Sequence, residues 1–329
     1  MKIGILGATG AVGRQMLECI SEQLPECEEV RVFASQRSKG KVMHWNDREL
    51  VIDVMNEENI RGLDYVLGAV SASLAAQYAQ LIQKAGAVFV DNSRYFRLHD
   101  DVPLVVPEIN GEDALHHNGI IANPNCSTII TMMAAAPISR ISPIRKIIAS
   151  TYQAVSGAGI EGMRELTEEV NAISAGQQVH PSVFPAQIAY NCIPWIGSEQ
   201  EEGYTAEEMK MQYEGRKILH LPDLKVTCTC VRVPVYRSHS ISFSLECEAP
   251  VSPEQAADAI RSFPGDVYVE EGYPMPLETS DQDLVYVGRL RKDLVFEGGI
   301  AAWCCGDQIR KGAASNAVAI IRYLEDHKN

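Results

Sequence analysis

Residues 123–128 read Asn-Pro-Asn-Cys-Ser-Thr, and they set Cys126 between two contrasting patterns. The apolar run Ile120, Ile121, Ala122 predicts a strand leading in, and Ile129, Ile130, Met132, Met133 and Ala134 predict a helix leading out. A thiol at the start of a helix meets free backbone N–H donors and the positive end of the helix dipole, both of which favour thiolate. The same donors can hold an oxyanion once the sulfur has attacked a carbonyl. The chemistry this predicts is acyl transfer through a cysteine.

Other residues can meet such a thiol. Gln153 ends a predicted strand just before Ser156-Gly157-Ala158-Gly159. Arg232 and His239 flank a short turn between two predicted strands, so both reach one end of a sheet, and a histidine beside an arginine suits general acid/base work. Glu207 and Lys210 stand three apart on a predicted helix, a spacing that by itself indicates only an exposed ion pair. Arg97, in Arg94-Tyr95-Phe96-Arg97, follows a strand end and suits either a phosphate or bulk water.

The elements that must position these groups fall into two halves. Up to about residue 125, short buried Val/Ile-rich runs alternate with helical patterns, as in a parallel sheet covered on both faces. Strands are expected at Lys2–Leu6, Val30–Ala34, Asp64–Ala69, Ala87–Val90 and Gly119–Ala122. Beyond Cys126, long strands are expected at Ile147–Val155, Val226–Val235 and Ser240–Glu248, with a hairpin of Leu284–Leu290 and Leu294–Ala301. A final helix is expected from near Arg310. The fold class expected is α/β: a Rossmann-type parallel-sheet nucleotide domain (residues 1–125 plus 306–329) and an α+β catalytic and dimerisation domain (residues 126–305) with a mostly antiparallel sheet.

Gly7-Ala8-Thr9-Gly10-Ala11-Val12-Gly13 follows the first strand and opens a helix, the place where a dinucleotide pyrophosphate rests on backbone N–H groups. At the end of the second strand an NAD-binding domain usually carries an acid for the ribose hydroxyl. This chain has Ser35, Gln36, Arg37, Ser38, Lys39 and Lys41 instead, so NADP(H) is the expected cofactor, with Arg37 on its 2′-phosphate and the two lysines solvated.

The formal charge of −14 disfavours nucleic-acid and acidic-membrane partners. No apolar run is long enough to cross a bilayer, and Met1 leads straight into a core strand, so no cleavable leader is expected. Nine cysteines without framework spacing suit a reducing cytoplasm, and eight histidines without ligand spacing predict no metal.

Taken together, the stretches GATGAVG, SQRSKGK, DNSRYFR, VPLVVPEIN, NPNCST, TYQAVSGAG, EEMK, VRVPVYRSHS, DLVYVGRLR and RKGAASNAV resemble the aspartate-β-semialdehyde dehydrogenases over nearly the whole chain. The pairing of NPNC with QAVSGAG is the specific part. That resemblance implies NADPH-dependent reduction of aspartyl β-phosphate to aspartate β-semialdehyde and phosphate, on the route to lysine, threonine and methionine. It implies Cys126 as nucleophile, Asn125 as its substrate-positioning neighbour, Gln153 as the residue orienting the acyl group and His239 as acid/base. It gives Arg232 the substrate carboxylate, Glu207 the amino group, and Lys210 and Arg97 the phosphate. Ser71, Gly157 and Gln308 join the glycine turn, Thr9 and Ser35 as cofactor-binding positions, and a homodimer or homotetramer is implied. Two segments depart from the family pattern: Ala69-Val70-Ser71-Ala72-Ser73 and Asp307-Gln308-Ile309. Two further readings stand beside this one. They are an N-acetyl-glutamyl-phosphate reductase, whose acylated substrate amine would leave Glu207 without a cation, and a catalytically silent nucleotide-binding paralogue with a regulatory role.

Overall fold

Short Val/Ile-rich segments can be buried on both faces only in a sheet flanked by helices, and the first unit is built this way. The computed structural model describes residues 1–328. It divides into two units, Met1–Asn125 with the C-terminal stretch from Ala313, and Cys126–Gly312.

In the first unit, β1 (Lys2–Leu6), β2 (Glu29–Phe33), β5 (Tyr65–Gly68), β6 (Val88–Asp91) and β7 (Ile120–Ala122) form a parallel sheet in the order β2-β1-β5-β6-β7. The order reverses at β1, and ligand crevices in such sheets open at the strand ends beside that reversal. Helices Ala11–Gln23, Ala72–Lys84 and Ser315–Asp326 belong to this unit. Ile3, Ile5, Met16, Ile20, Leu67, Val90, Ile320 and Ile321 pack into its core. A hairpin of β3 (Val42–Trp45) and β4 (Arg48–Val51), each only four residues long, lies between β2 and β5 in the chain.

The second unit opens with helix Cys126–Ile141, which is buried on nearly every side and therefore apolar all round. Its sheet contains β8 (Ile144–Gln153), β9 (Lys225–Arg232), β10 (His239–Cys247), β11 (Asp266–Tyr268), β12 (Val285–Lys292) and β13 (Ile300–Gly306), in the order β11-β12-β13-β10-β8-β9. The three central pairings are antiparallel and the two outer ones parallel. Gln153 pairs with Arg232 and Ser240 with Tyr152, so the ends of β8 and β9 and the start of β10 share one end of the sheet.

Two boundaries differ from expectation, and the terminal helix begins at Arg310 as expected but with an unusual first turn. The return strand of the last hairpin is Ile300–Gly306, not Leu294–Ala301. Leu294 and Val295 lie exposed in a turn, where the Asp293 carboxylate accepts hydrogen bonds from the N–H groups of Val295 and Phe296. The terminal helix starts with a wide π-type turn, Arg310–Ala314, before regular winding from Ser315. The change of unit falls at 312/313 rather than 305/306. Residues 307–312 stay with the second unit because Asp307 pairs with Arg237 and accepts the Asp281 N–H, while Gln308 accepts the Ser238 N–H.

Candidate active site and nucleotide site

The glycine turn fits a dinucleotide. Gly7 has φ +94°, and a Cβ there would lie 2.2 Å from the Ala69 carbonyl oxygen. A Cβ on Gly13 would lie 2.3 Å from the Gly7 carbonyl oxygen. Helix Ala11–Gln23 begins at Gly10 with no side-chain cap and no acid in its first turn, leaving its donors to an incoming anion. Beside the turn is a cavity of about 390 Å³ lined by Thr9, Arg14, Ser38, Lys41 and His44, among others. Lys41 lines this cavity while staying exposed to solvent, and Arg14 joins it although the sequence reading passed over it. Lys39 forms an exposed ion pair with Asp53 at 2.9 Å, which pulls the Asp53 carboxyl down to about 2. Ser35 stands immediately before the short 3₁₀ turn Gln36–Ser38 that carries Arg37, without a side-chain capping bond to it. Ser71 stands at the start of helix Ala72–Lys84 without a side-chain capping bond, its hydroxyl 3.0 Å from that of Ser73.

In the second unit, Cys126 is half-buried at the first position of its helix, with Sγ 3.5 Å from His239 Nε2. His239 begins β10 and is fully buried. Its Nδ1 accepts the Ala154 backbone N–H at 3.1 Å. A backbone N–H can only donate, so the neutral ring must carry its proton on Nε2, facing the sulfur. Burial, helped by the nearby Arg232 cation and opposed by Glu207, pushes the His239 pKa down to about 3. The imidazole is therefore neutral at pH 7 and presents Nε2–H as a donor.

Around this pair the other second-unit residues converge. Thr151 Oγ1 donates to Gln153 Oε1 at 2.9 Å, which fixes the amide so that its Nε2 donates to Glu207 Oε1 at 3.2 Å. Glu207 Oε2 holds Lys210 Nζ at 2.7 Å, and the Glu207 side chain is only 10% exposed. This is not the exposed pair that helical spacing alone suggested. Arg232 ends β9, is buried, and donates from Nη1 to the Ala154 carbonyl at 2.5 Å. Burial lowers its pKa, while Glu207, Cys126 and Cys230 support its charge. Gly157 leaves room for that guanidinium: a Cβ there would lie 2.7 Å from Arg232 Nη1. Gly312 does the same for the thiol, since its Cβ would meet that of Cys126 at 2.7 Å.

Gln308 is buried and its amide is spent within the second unit, donating to Ser156 Oγ and accepting from Ser238 N. It braces the Gly157 turn. Arg97, in the first unit, is buried rather than solvated, donating to the carbonyls of Asn123 (3.0 Å) and Asn92 (2.7 Å). Asn125 is buried immediately before the nucleophile in sequence. Sequence reasoning missed Thr151, which period-2 spacing places on the same strand face as Gln153, and the Ala154 backbone, which leaves no sequence signal. It also missed Phe184, whose ring centroid lies 5.8 Å from the Arg232 guanidinium. No cluster of residues suited to a metal ion occurs among the described residues. Nor is any described helix long and apolar enough to cross a membrane.

Comparison with known proteins finds relatives over nearly the whole chain. The semialdehyde dehydrogenase NAD binding domain matches residues 2–117, and the semialdehyde dehydrogenase dimerisation domain matches residues 136–311. The aspartate-semialdehyde dehydrogenase of Aquifex aeolicus is 44% identical, covering 98% of this chain and 97% of its own. That of Bacillus subtilis is 39% identical, covering 99% and 97%. The crystal structure of aspartate semialdehyde dehydrogenase II from Vibrio cholerae complexed with ASA superposes with a TM-score of 0.97 at 38% identity, covering 100% of this chain and 99% of that one. The chain belongs to the aspartate-semialdehyde dehydrogenase family.

Proposed function

We propose that this protein is an NADP-dependent oxidoreductase that reversibly converts aspartyl β-phosphate to aspartate β-semialdehyde and phosphate, in the biosynthesis of lysine, threonine and methionine. The observation that carries the reading is the 3.5 Å approach of Cys126 Sγ to a buried, neutral His239, ringed by Gln153, Glu207, Lys210 and Arg232.

In the biosynthetic direction the Cys126 thiolate attacks the acyl carbonyl, the bond to the phosphate oxygen breaks, and a thioester remains on the sulfur. Sulfur donates weakly into the carbonyl, so the thioester accepts hydride more readily than a carboxylate would. NADPH would supply that hydride when bound, and the residues proposed to hold it are Gly7, Thr9, Gly10, Ala11, Val12, Gly13, Ser35, Arg37, Ser38, Ser71 and Gly157. Backbone donors at the start of helix Cys126–Ile141, with Nε2–H of His239, face the oxygen that gains negative charge. Collapse of the tetrahedral adduct breaks the carbon–sulfur bond, releasing aldehyde and returning the thiolate to its His239 donor.

Specificity follows from charge. Arg232 suits the substrate carboxylate through a two-pronged pairing, and Glu207 suits the ammonium. An arriving ammonium competes with Lys210 for Glu207, turning that cation toward phosphate. The resemblance also gives phosphate to Arg97 and substrate positioning to Asn125. The dimerisation-domain match supports a homodimer, and nine free cysteines support a reducing, cytoplasmic setting.

Initial rates with aspartate semialdehyde, phosphate and either NADP or NAD test the reading. It requires phosphate-dependent NADP reduction, with NAD the poorer acceptor. Turnover that ignores phosphate would remove the acyl-phosphate assignment, and a preference for NAD would remove the roles given to Ser35, Arg37 and Ser38.

A further inference from the structure

We propose that Glu165 and Glu169 are positioning residues for Arg232, acting through an irregular segment, residues 182–193, that they tie to helix Gly159–Ser174. The inference rests on the reading of Arg232 as the anion seat beside Cys126.

The two carboxylates are buried and stand one turn apart on that helix, an arrangement that like charges disfavour unless each is well solvated by donors. The segment supplies them. Glu165 accepts the N–H groups of Ser182 (2.8 Å), Val183 (2.5 Å) and Phe184 (3.0 Å) and the Ser182 hydroxyl (2.6 Å). Glu169 accepts the N–H groups of Ile188 (2.8 Å) and Ala189 (2.7 Å) on Oε2 alone, its buried Oε1 having no hydrogen-bond partner among the described residues, so Glu165 is the more fully anchored of the two. Burial would raise the Glu165 pKa, but the Ser182 hydroxyl and three backbone donors more than offset it and hold this carboxyl below its ordinary range. Two acids thus replace the backbone pairing that a segment without regular structure lacks.

The anchored segment then meets Arg232 at two points. Phe184, whose own N–H is held by Glu165, sets its ring 5.8 Å from the guanidinium. Ile193 and Arg232 exchange both backbone hydrogen bonds, at 2.9 and 2.8 Å. Phe184, Ile188, Ala189 and Ile193 also share one apolar cluster with Leu166 of the helix. The guanidinium therefore has the Ala154 carbonyl at one nitrogen and an aromatic ring nearby, and the ring's place depends on Glu165.

The test compares alkylation of Cys126 by iodoacetate and by iodoacetamide, with steady-state kinetics in parallel. A seated Arg232 accelerates the anionic reagent over the neutral one whatever the natural substrate is. In Glu165→Gln, the iodoacetate-to-iodoacetamide rate ratio is expected to fall about fivefold, a loss of cation–aromatic and ordering size. The KM for semialdehyde should rise by a similar factor, with kcat and the KM for NADP held within about twofold. An unchanged ratio and KM in folded Glu165→Gln, or a fall in kcat alone, would overturn the proposal. Where Glu165→Gln does not fold, Phe184→Leu keeps the anchors and removes the ring, and the same pair of outcomes decides. Arg232→Gln, which removes the charge, is the control: if it leaves the ratio unchanged, Arg232 is not the anion seat and the inference falls with that reading. If Arg232→Gln lowers the ratio while Glu165→Gln and Phe184→Leu do not, only the positioning role fails.

Discussion

Both candidate sites start at a helix N-terminus, and they use it in opposite ways. At Gly10 the helix start is bare: no side chain caps it, and glycines keep side chains away from an incoming anion. At Cys126 the helix start is dressed with side chains: a buried histidine lies 3.5 Å from the sulfur, Arg232 is buried nearby, and Gln153 links the histidine to a Glu–Lys pair. A site that binds a ligand through backbone needs a short contiguous motif. A site that does chemistry on a ligand needs groups of several charges, and only tertiary structure can bring those together.

This contrast predicts distinct failures at the two ends. Cys126→Ser should reduce turnover about 10⁴-fold or more, because the covalent route is lost while the backbone donors remain. NADP binding, followed by quenching of protein fluorescence, should persist. Loss of both together would mean that the two helix starts are not separable. Gly13→Ala is the converse test. Its new Cβ would press on the Gly7 carbonyl, and NADP affinity should fall about tenfold to a hundredfold. The rate of Cys126 alkylation should stay near wild type. Arg232→Lys keeps the charge but loses the planar fork, so the KM for semialdehyde should rise about thirtyfold, equivalent to about 2 kcal/mol. An unchanged KM would sharpen the comparison by assigning the carboxylate elsewhere.

A last effect, spread over several pH units, is on stability against pH. His239 binds a proton in the unfolded chain below its ordinary value of about 6.5, but in the folded protein only near 3. Its contribution to stability is therefore present above the unfolded value and lost as pH falls from about 6.5 toward 3, by at most about 1.4 kcal/mol per pH unit. Urea melts of the wild type and His239→Asn across that window should differ in slope. Parallel slopes would mean that the ring is not held neutral.

The same contrast explains what could be read from the sequence. The glycine turn, the parallel strands and the placement of Cys126 were all legible, because each is local: a run, a period or a junction between two patterns. The sheet end shared by Gln153, Arg232 and His239 was legible in part, since each residue closes or opens a strand. Partners lying far apart along the chain were not. Glu207 reads as a surface acid until Gln153, 54 residues away, is seen to donate to it. The His239 tautomer rests on a backbone N–H that any residue but proline would supply at position 154. Phe184 reaches Arg232 from a segment with no periodicity at all. The Leu294–Val295 run misleads for the opposite reason, because a single local carboxylate, Asp293, overrides an apolar pattern that looks like a strand.

The central claim is that substrate carbon becomes bonded to the sulfur of residue 126. Intact-protein and peptide mass spectrometry after mixing enzyme with aspartate semialdehyde and NADP, without phosphate, tests it most directly. Oxidation then proceeds to the thioester, and no phosphate is present to discharge it. The account predicts an aspartyl mass increment on the peptide containing Cys126, formed only when NADP is present and removed on adding phosphate. An increment on a different cysteine, or none while phosphate-dependent turnover is normal, would contradict it.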